Sequence, residues 1–512
     1  MNKKTELIYS SGIFLFFFTV FILSIPEVLS VAHDSIQYIT EIEKGINIYN
    51  PHHLFFAPFS KIWLDVSALA GIKDGVFAFG ILNSFFSAAG LLFIFKILTT
   101  VFQLRNVRSA LITSIIAFNY GYWFYSVCVE IYLIPLSFVL AGIYYLFNSF
   151  QNKKHFYLSS ILFAVAVLFH QSHILFSIPV LVFFFINKHR IGIKKIIIYV
   201  LIYSAIIAAG YFYVIFAVKK IYSFDGILYW LTYYTHVIPS WNTTDSSALF
   251  KVIIGFGRSF ITTQTFLVSP ETADLIKDLF SQKSLEDDKF LLRNLSKGMI
   301  WLYISIILFL IISIFSLTIS VFKNIKQNFD NNILVIISAL LVYSIFFSFW
   351  NPENLEFWIP QNIFFWMIIA VLSKKNKVFQ LILTLAAFAF LNWFFLISKT
   401  QNINNDFYYN KVKTVNQQSS NNDAILLENK WIYYYYFDRF SNLQKFSIQD
   451  EIKDGNEHKL NKILDKHLNN NNSVFMLEDL LKKNNNLKFL KAKRIKTDTL
   501  KYEHFNLFYL KY

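Results

Sequence analysis

The chain has 512 residues, 55% of them hydrophobic, 19% aromatic and only 15% charged, and its apolar residues fall in blocks of about 20, the length an α-helix needs to cross a bilayer. That excludes a soluble globular protein, and the single cysteine, Cys128, excludes an internal disulfide framework or a thiolate metal cluster. The formal charge of +15 does not point to nucleic acid, because Lys and Arg are scattered in pairs between the apolar blocks rather than gathered into one stripe.

The start, MNKKTE and then an apolar run without a small-residue cleavage site, reads as a retained first span rather than a signal peptide. Windowed hydropathy predicts about eleven spans: 8–31, 76–99, 109–127, 130–149, 156–170, 173–187, 195–218, 299–322, 333–350, 359–373 and 378–398. With the N-terminus inside, alternate connections carry Lys3/Lys4, Arg105/Arg108, Lys153/Lys154, Lys188/Arg190/Lys194/Lys195, Lys323/Lys326 and Lys374/Lys375/Lys377. These hold about fifteen basic residues against two acids, as the positive-inside rule requires. The N-terminus is therefore expected in the cytoplasm and the C-terminus outside.

The opposite connections hold every candidate reactive group. In the first external loop, 32–75, Asp34 follows the first span closely. Ser35–Glu43 and Phe56–Leu69 have spacing that suits short helices lying along the interface, with Pro51 and Pro58 as breaks between them. The loop also holds His52, His53 and Lys61. Loops between membrane helices are ordinarily polar, so an acid there signifies little alone; the clustering on one side is what points to a site. Glu130 opens the fourth span, where a carboxylate is costly unless paired or wetted, although a helix start also favours an acid.

His170 and His173 flank a tight turn between two short spans. Their spacing fits substrate hydrogen bonding, phosphate contact or a metal pair, but no third ligand follows at a fixed distance. Histidines satisfied by neighbouring helices are the bland alternative. The long external loop 219–297 carries Trp230, Tyr233, Tyr234, Trp241, Phe256, Phe260 and Phe266, as expected of interfacial helices, together with Lys219, Lys220, Arg258 and a glycosylation-type triplet at Asn242.

Glu353 and Glu356 lie in a turn bracketed by Trp350, Phe357 and Trp358. Rings at that depth belong to an aromatic belt, and rings beside carboxylates also hold sugars. After residue 398 the long apolar blocks stop. Ala424–Glu428, Gln444–Ile448, Ser473–Leu477 and Phe505–Leu510 read as strands, and Lys430–Phe440 and Lys459–Leu468 as helices. The expectation is an all-α polytopic membrane bundle, 1–398, followed by a small external α/β domain, 399–512, that caps or recognises, since it has no glycine-rich phosphate loop.

The layout of an acid after the first span, a long first external loop, Glu130-Ile-Tyr132 opening the fourth span, a His turn between the fifth and sixth and a soluble tail resembles the GT-C superfamily. Within it the pattern is similar to the protein O-mannosyltransferase-like and aminoarabinose transferase-like branch. The resemblance covers residues 7–398 in order and topology. It implies a glycosyltransferase of a bacterial inner membrane that moves a hexose or pentose from a polyprenyl-phosphate donor to a lipid, glycan or protein acceptor on the external face, with inversion.

By position, the resemblance implies that Asp34 is the general base and that Glu130 with His170 or His173 positions donor or acceptor. Lys61 and Arg258 would stabilise the departing phosphate, and His52 and His53 would belong to the acceptor site. Asp34 is followed by Ser35 where better-known members have a second acid, which leaves the use of a divalent metal open. A polysaccharide polymerase or ligase usually relies on paired arginines in external loops, and here the long loop offers Arg258 and Arg293. A transporter would show broken helices and mid-membrane charge in corresponding halves, and neither is visible.

Overall fold

The computed structural model describes residues 3–237, 248–267, 282–373, 377–429, 431–449, 462, 465–468, 470, 472–477, 496–501 and 506–511. The chain folds as two compact units, one of residues 1–26 and 41–401, the other of residues 27–40 and 402–512. The second unit is therefore discontinuous in sequence. It takes in residues 27–40, which the sequence alone places with the first span and the first external loop.

The first unit is helical. Each predicted span has a helix: α1 (Lys3–Ile22), then, after α2 (His33–Lys44) and α3 (Phe56–Leu69), α4 (Gly75–Lys96), α5 (Asn106–Phe118) continued by α6 (Tyr120–Tyr125), α7 (Leu133–Phe147), α8 (Lys153–Phe169), α9 (Ser177–Ile186) and α10 (Ile193–Phe212). The long connection that follows holds α11 (Phe224–Val237), α12 (Ala248–Phe260) and α13 (Gln282–Leu291), and the bundle resumes with α14 (Lys297–Asn328), α15 (Asn331–Phe349), α16 (Ile359–Leu372) and α17 (Val378–Asn392). Among the described residues six helical stretches are long and apolar enough to cross a membrane by length and composition, and the others are shorter apolar helices.

Ile193–Val218 buries 17% and Lys297–Asn328 33% of their most apolar window, so rows of side chains such as Leu201, Phe212, Ile312 and Phe315 face outward. An outward surface this apolar and this continuous is stable against lipid, not against water.

Three local expectations are corrected. The first helix ends at Ile22 rather than at residue 31, because Pro26 cannot donate to a helical ladder; Asp34 lies in the first turn of the next helix. Pro58 does not break the loop. It is the third residue of α3, where a missing N–H goes unused. The span 109–127 is two helices meeting at Asn119, whose backbone is extended (φ −64°, ψ 140°) and whose side chain bonds Asn362. The Asn242 triplet and Trp241 lie outside the described residues.

The second unit is a five-stranded sheet flanked by helices. Its strands are β1 (Ala424–Leu427), β2 (Gln444–Ser447), β3 (Val474–Leu477), β4 (Lys496–Lys501) and β5 (Asn506–Lys511), in the order β2-β1-β3-β5-β4. β1 pairs in parallel with β2 and β3, while β5 pairs antiparallel with β3 and β4. The runs AILL and VFML are buried throughout, which is the signature of strands covered on both faces. Helices α18 (Phe407–Gln418) and α19 (Ile432–Phe440) belong to this unit. Of the second predicted helix, residues 465–468 are described and helical.

Candidate active site

Four histidines meet in the first unit because two backbones zip together. Gln171 N donates to His52 O at 2.9 Å and Phe55 N to Leu168 O at 3.0 Å, which lays the turn at residues 52–55 along the end of α8. The His53 and His170 rings come to 4.7 Å between centroids, His52 lies 6.3 Å from His53, and His173 5.8 Å from His170. Burial, with the neighbouring imidazole second, pushes the His53 ring from its usual 6.5 down to about 3. It pushes His52 down as well, against a hydrogen bond with the Gln171 side chain that acts the other way. Neutral imidazoles that each offer one donor and one acceptor are the result.

His170 also explains why the two spans beside it are short. Its backbone is extended (φ −153°, ψ 113°), which stops α8, and its Nδ1 accepts from Ser172 N at 3.3 Å, capping the 3₁₀ turn Gln171–Phe176 that leads into α9. His173 Nδ1 is hydrogen-bonded to Tyr343 Oη at 2.8 Å. Tyr343 sits within α15, and a phenol at such depth needs a partner.

Glu130 and Glu356 approach from two other turns. Asn83, fully buried in α4, points its amide nitrogen at the carbonyls of Tyr125, Cys128 and Glu130 at 3.1, 2.8 and 2.9 Å, pinning the turn between α6 and α7. Tyr125 on that turn donates to Glu356 Oε2 at 3.1 Å. The loop carrying Glu353 and Glu356 is itself folded by a bond from the Trp358 indole to Pro352 O at 2.8 Å and by Phe357 stacked on Phe347 at 4.8 Å. Arg258 on α12 donates to Glu353 O at 3.3 Å.

Around the meeting point lies a cavity of about 20 Å³ lined by Tyr132, His170, Ser172, His173, Tyr343 and Glu356, with apolar walls including Leu136, Phe347 and Phe357. It has room for about one water. The structure thus brings His52, His53, His170, His173 and Glu356 together and sets Glu130 on the adjoining turn. Lys61 is outside the lining, ion-paired with Asp65 at 2.9 Å along α3, and Arg258 serves the acidic loop from behind. Among the described residues no group of three or more His, Cys, Asp or Glu is arranged to hold a metal ion.

Asp34 belongs to the second compact unit, in the first turn of α2, where the helix dipole favours an acid. Burial pushes its carboxyl above the usual 3.8, with the adjacent His33 acting the other way. Tyr125, Tyr343 and Asn83 are site residues that the sequence alone does not single out. The only signal for the last two is a polar side chain inside an otherwise apolar span.

A bundle with this helix order, and with α2 and α3 between its first two spans, is similar in fold to solved GT-C membrane glycosyltransferases. The archaeal oligosaccharyltransferase AglB from Archaeoglobus fulgidus, solved with an inhibitory peptide and a dolichol-phosphate, is similar at TM-score 0.50 and 10% identity, over 94% of this chain and 70% of that one. ArnT from Cupriavidus metallidurans is similar at TM-score 0.49 and 10% identity in its apo state, over 100% and 98% of the two chains. Bound to undecaprenyl phosphate, it is similar at TM-score 0.42. At such identity the likeness is one of fold. No protein-family model matches the chain, and no curated protein matches it.

Proposed function

We propose that the protein is an integral membrane glycosyltransferase that moves a sugar from a polyprenyl-phosphate carrier to an acceptor on the external face. The observation that carries this is the cluster of imidazole, phenol and carboxylate groups around one cavity of a GT-C-fold bundle. The dolichol-phosphate bound by the similar oligosaccharyltransferase supports the carrier class. The histidines and tyrosines at the cavity suit hydroxyl-rich ligands, since with each Nδ1 already engaged the Nε2 of His170 and of His173 is left to bond a sugar oxygen.

In the proposed reaction Asp34 takes the proton of the acceptor hydroxyl as its oxygen bonds the anomeric carbon. The bond from that carbon to the phosphate oxygen breaks, and polyprenyl phosphate leaves with inversion. A phosphate leaving group needs no proton, so one base suffices, unlike a glycosidase with its two carboxylates. Glu130, His170, His173 and Glu356 would orient the sugar, with His52 and His53 behind them. Arg258, and Lys61 once it exchanges Asp65 for phosphate, would supply positive charge to the leaving group. Glu353 would hold Arg258 in place.

Purified Asp34→Asn protein in liposomes with a polyprenyl-phosphate sugar is the test. Turnover is expected to fall by about 10²-fold or more, the scale of a general base, with insertion and melting temperature unchanged. Near-wild-type turnover would refute the assignment.

A further inference from the structure

The second compact unit contains a buried carboxylate for which the proposed chemistry has no use. Asp406 is 1% exposed. Its Oδ1 accepts from Tyr409 N at 2.9 Å, capping α18, while its Oδ2 accepts from Leu29 N at 2.9 Å, Ser30 N at 3.2 Å and Tyr436 Oη at 2.6 Å. One side chain therefore ties together the start of α18, the middle of α19 and a turn nearly 380 residues earlier in sequence. Two further contacts repeat the pattern. Glu27 Oε2 accepts from Ile403 N at 3.0 Å, and the His33 ring stands edge-on to Tyr408 at 6.3 Å. Tyr408 is itself packed against Tyr433 and Tyr436, at 4.9 and 5.3 Å.

The contacts at Glu27, Leu29, Ser30 and His33 all land on the short segment 27–33 that leads directly into Asp34. Between the end of α1 and the start of α2 the chain has no helix of its own, so an acid at the head of α2 gains its position from whatever holds residues 27–33. Capping α18 alone would need only a neutral Asn or Ser. Facing four N–H and O–H donors at once needs a carboxylate, because an amide would turn a donor toward one of them.

We infer that the C-terminal unit positions the proposed base. Asp406, supported by Tyr436, Glu27 and Tyr408, is a positioning residue that holds the 27–33 segment and acts through Asp34. The inference rests on Asp34 being the base and adds to it a role for the C-terminal unit. That unit is the mount of the catalytic helix, and not only a cap.

The test uses the full-length protein in liposomes with a polyprenyl-phosphate sugar. Asp406→Asn is expected to lower kcat by about tenfold to a hundredfold, the range that small misplacements of a catalytic group produce, with KM for the donor unchanged. Tyr436→Phe, which keeps the carboxylate and removes one donor, gives a smaller loss and covers the case in which Asp406→Asn does not fold. In both variants amide exchange at residues 29–36 speeds up while exchange in β1 and the membrane helices stays as in the wild type. In an Asp34→Asn background, Asp406→Asn costs nothing further.

Unchanged exchange at 29–36, or losses that add to that of Asp34→Asn, overturn the inference. So does wild-type turnover per folded molecule in Asp406→Asn. High turnover by Asp34→Asn alone overturns the base assignment instead, and the two failures are told apart because the exchange experiment needs no activity.

Discussion

Asp34 and His53 are displaced in opposite directions by the same cause, the loss of water around a charge. For Asp34 the proton is held above the usual carboxylate value of 3.8. If it is the base, kcat/KM rises with pH through that raised value, and Asp34→Asn removes the rising limb together with the activity; a pH–rate profile of both proteins checks this. For His53 the folded value of about 3 lies below the usual 6.5. The folded ring therefore refuses a proton that the unfolded chain accepts. The stability this contributes is complete above pH 6.5 and is lost as pH falls from there toward 3. Melting temperatures across that window are expected to drop in the wild type and to drop less in His53→Gln. At this scale His170, His173 and Glu130 stand out in the sequence as candidates, because ionisable groups at span ends are rare. Tyr343 and Tyr125 were not, because an aromatic residue in an apolar span carries no sign of which way its hydroxyl points.

Helices and turns were legible wherever local chemistry decided them. α3 starts and stops where the spacing predicts, and α2 extends its prediction by a residue or two at each end. AILL and VFML are strands because a short β-branched or long apolar run between turns has no amphipathic alternative. β4 was not legible: KTDTLK is polar, and its place at the sheet edge is set by its partner β5. Two substitutions test how elements hold the site. Asn83→Ala strips the donor facing three buried carbonyls. It should cost about 1–3 kcal/mol for groups left unpaired, read as a lower melting temperature, and should lower turnover by releasing the Glu130 turn. Gly255→Ala drives a Cβ against Pro352 O and to 2.6 Å from the Trp358 ring nitrogen. Overpacking of that kind costs about 1–3 kcal/mol, and because Pro352 and Trp358 bracket Glu356, tryptophan fluorescence and turnover should change together.

The whole molecule is two compact units, and the second is assembled from stretches far apart in sequence that no local reading connects. Leu426→Asp places an unpaired charge in β1, an interior strand of the sheet, at a residue with no exposure. It is expected to collapse that unit, a cost well above the usual range for a single substitution. Residues 27–40 should then become sensitive to protease and transfer should stop, while membrane insertion is kept. Protease mapping and a transfer assay on the same preparation check both. Membrane class, helix order and the α/β character of the tail were determined by the sequence alone, because hydrophobic periodicity and the length of a span are local properties that need no partner. Only the tertiary structure decided that His52 and His53 join His170 and His173, that Tyr125 meets Glu356, and that Asp406 holds the turn before Asp34. Such contacts join residues tens to hundreds of positions apart, and their formation depends on how whole helices pack, which no window along the chain can report.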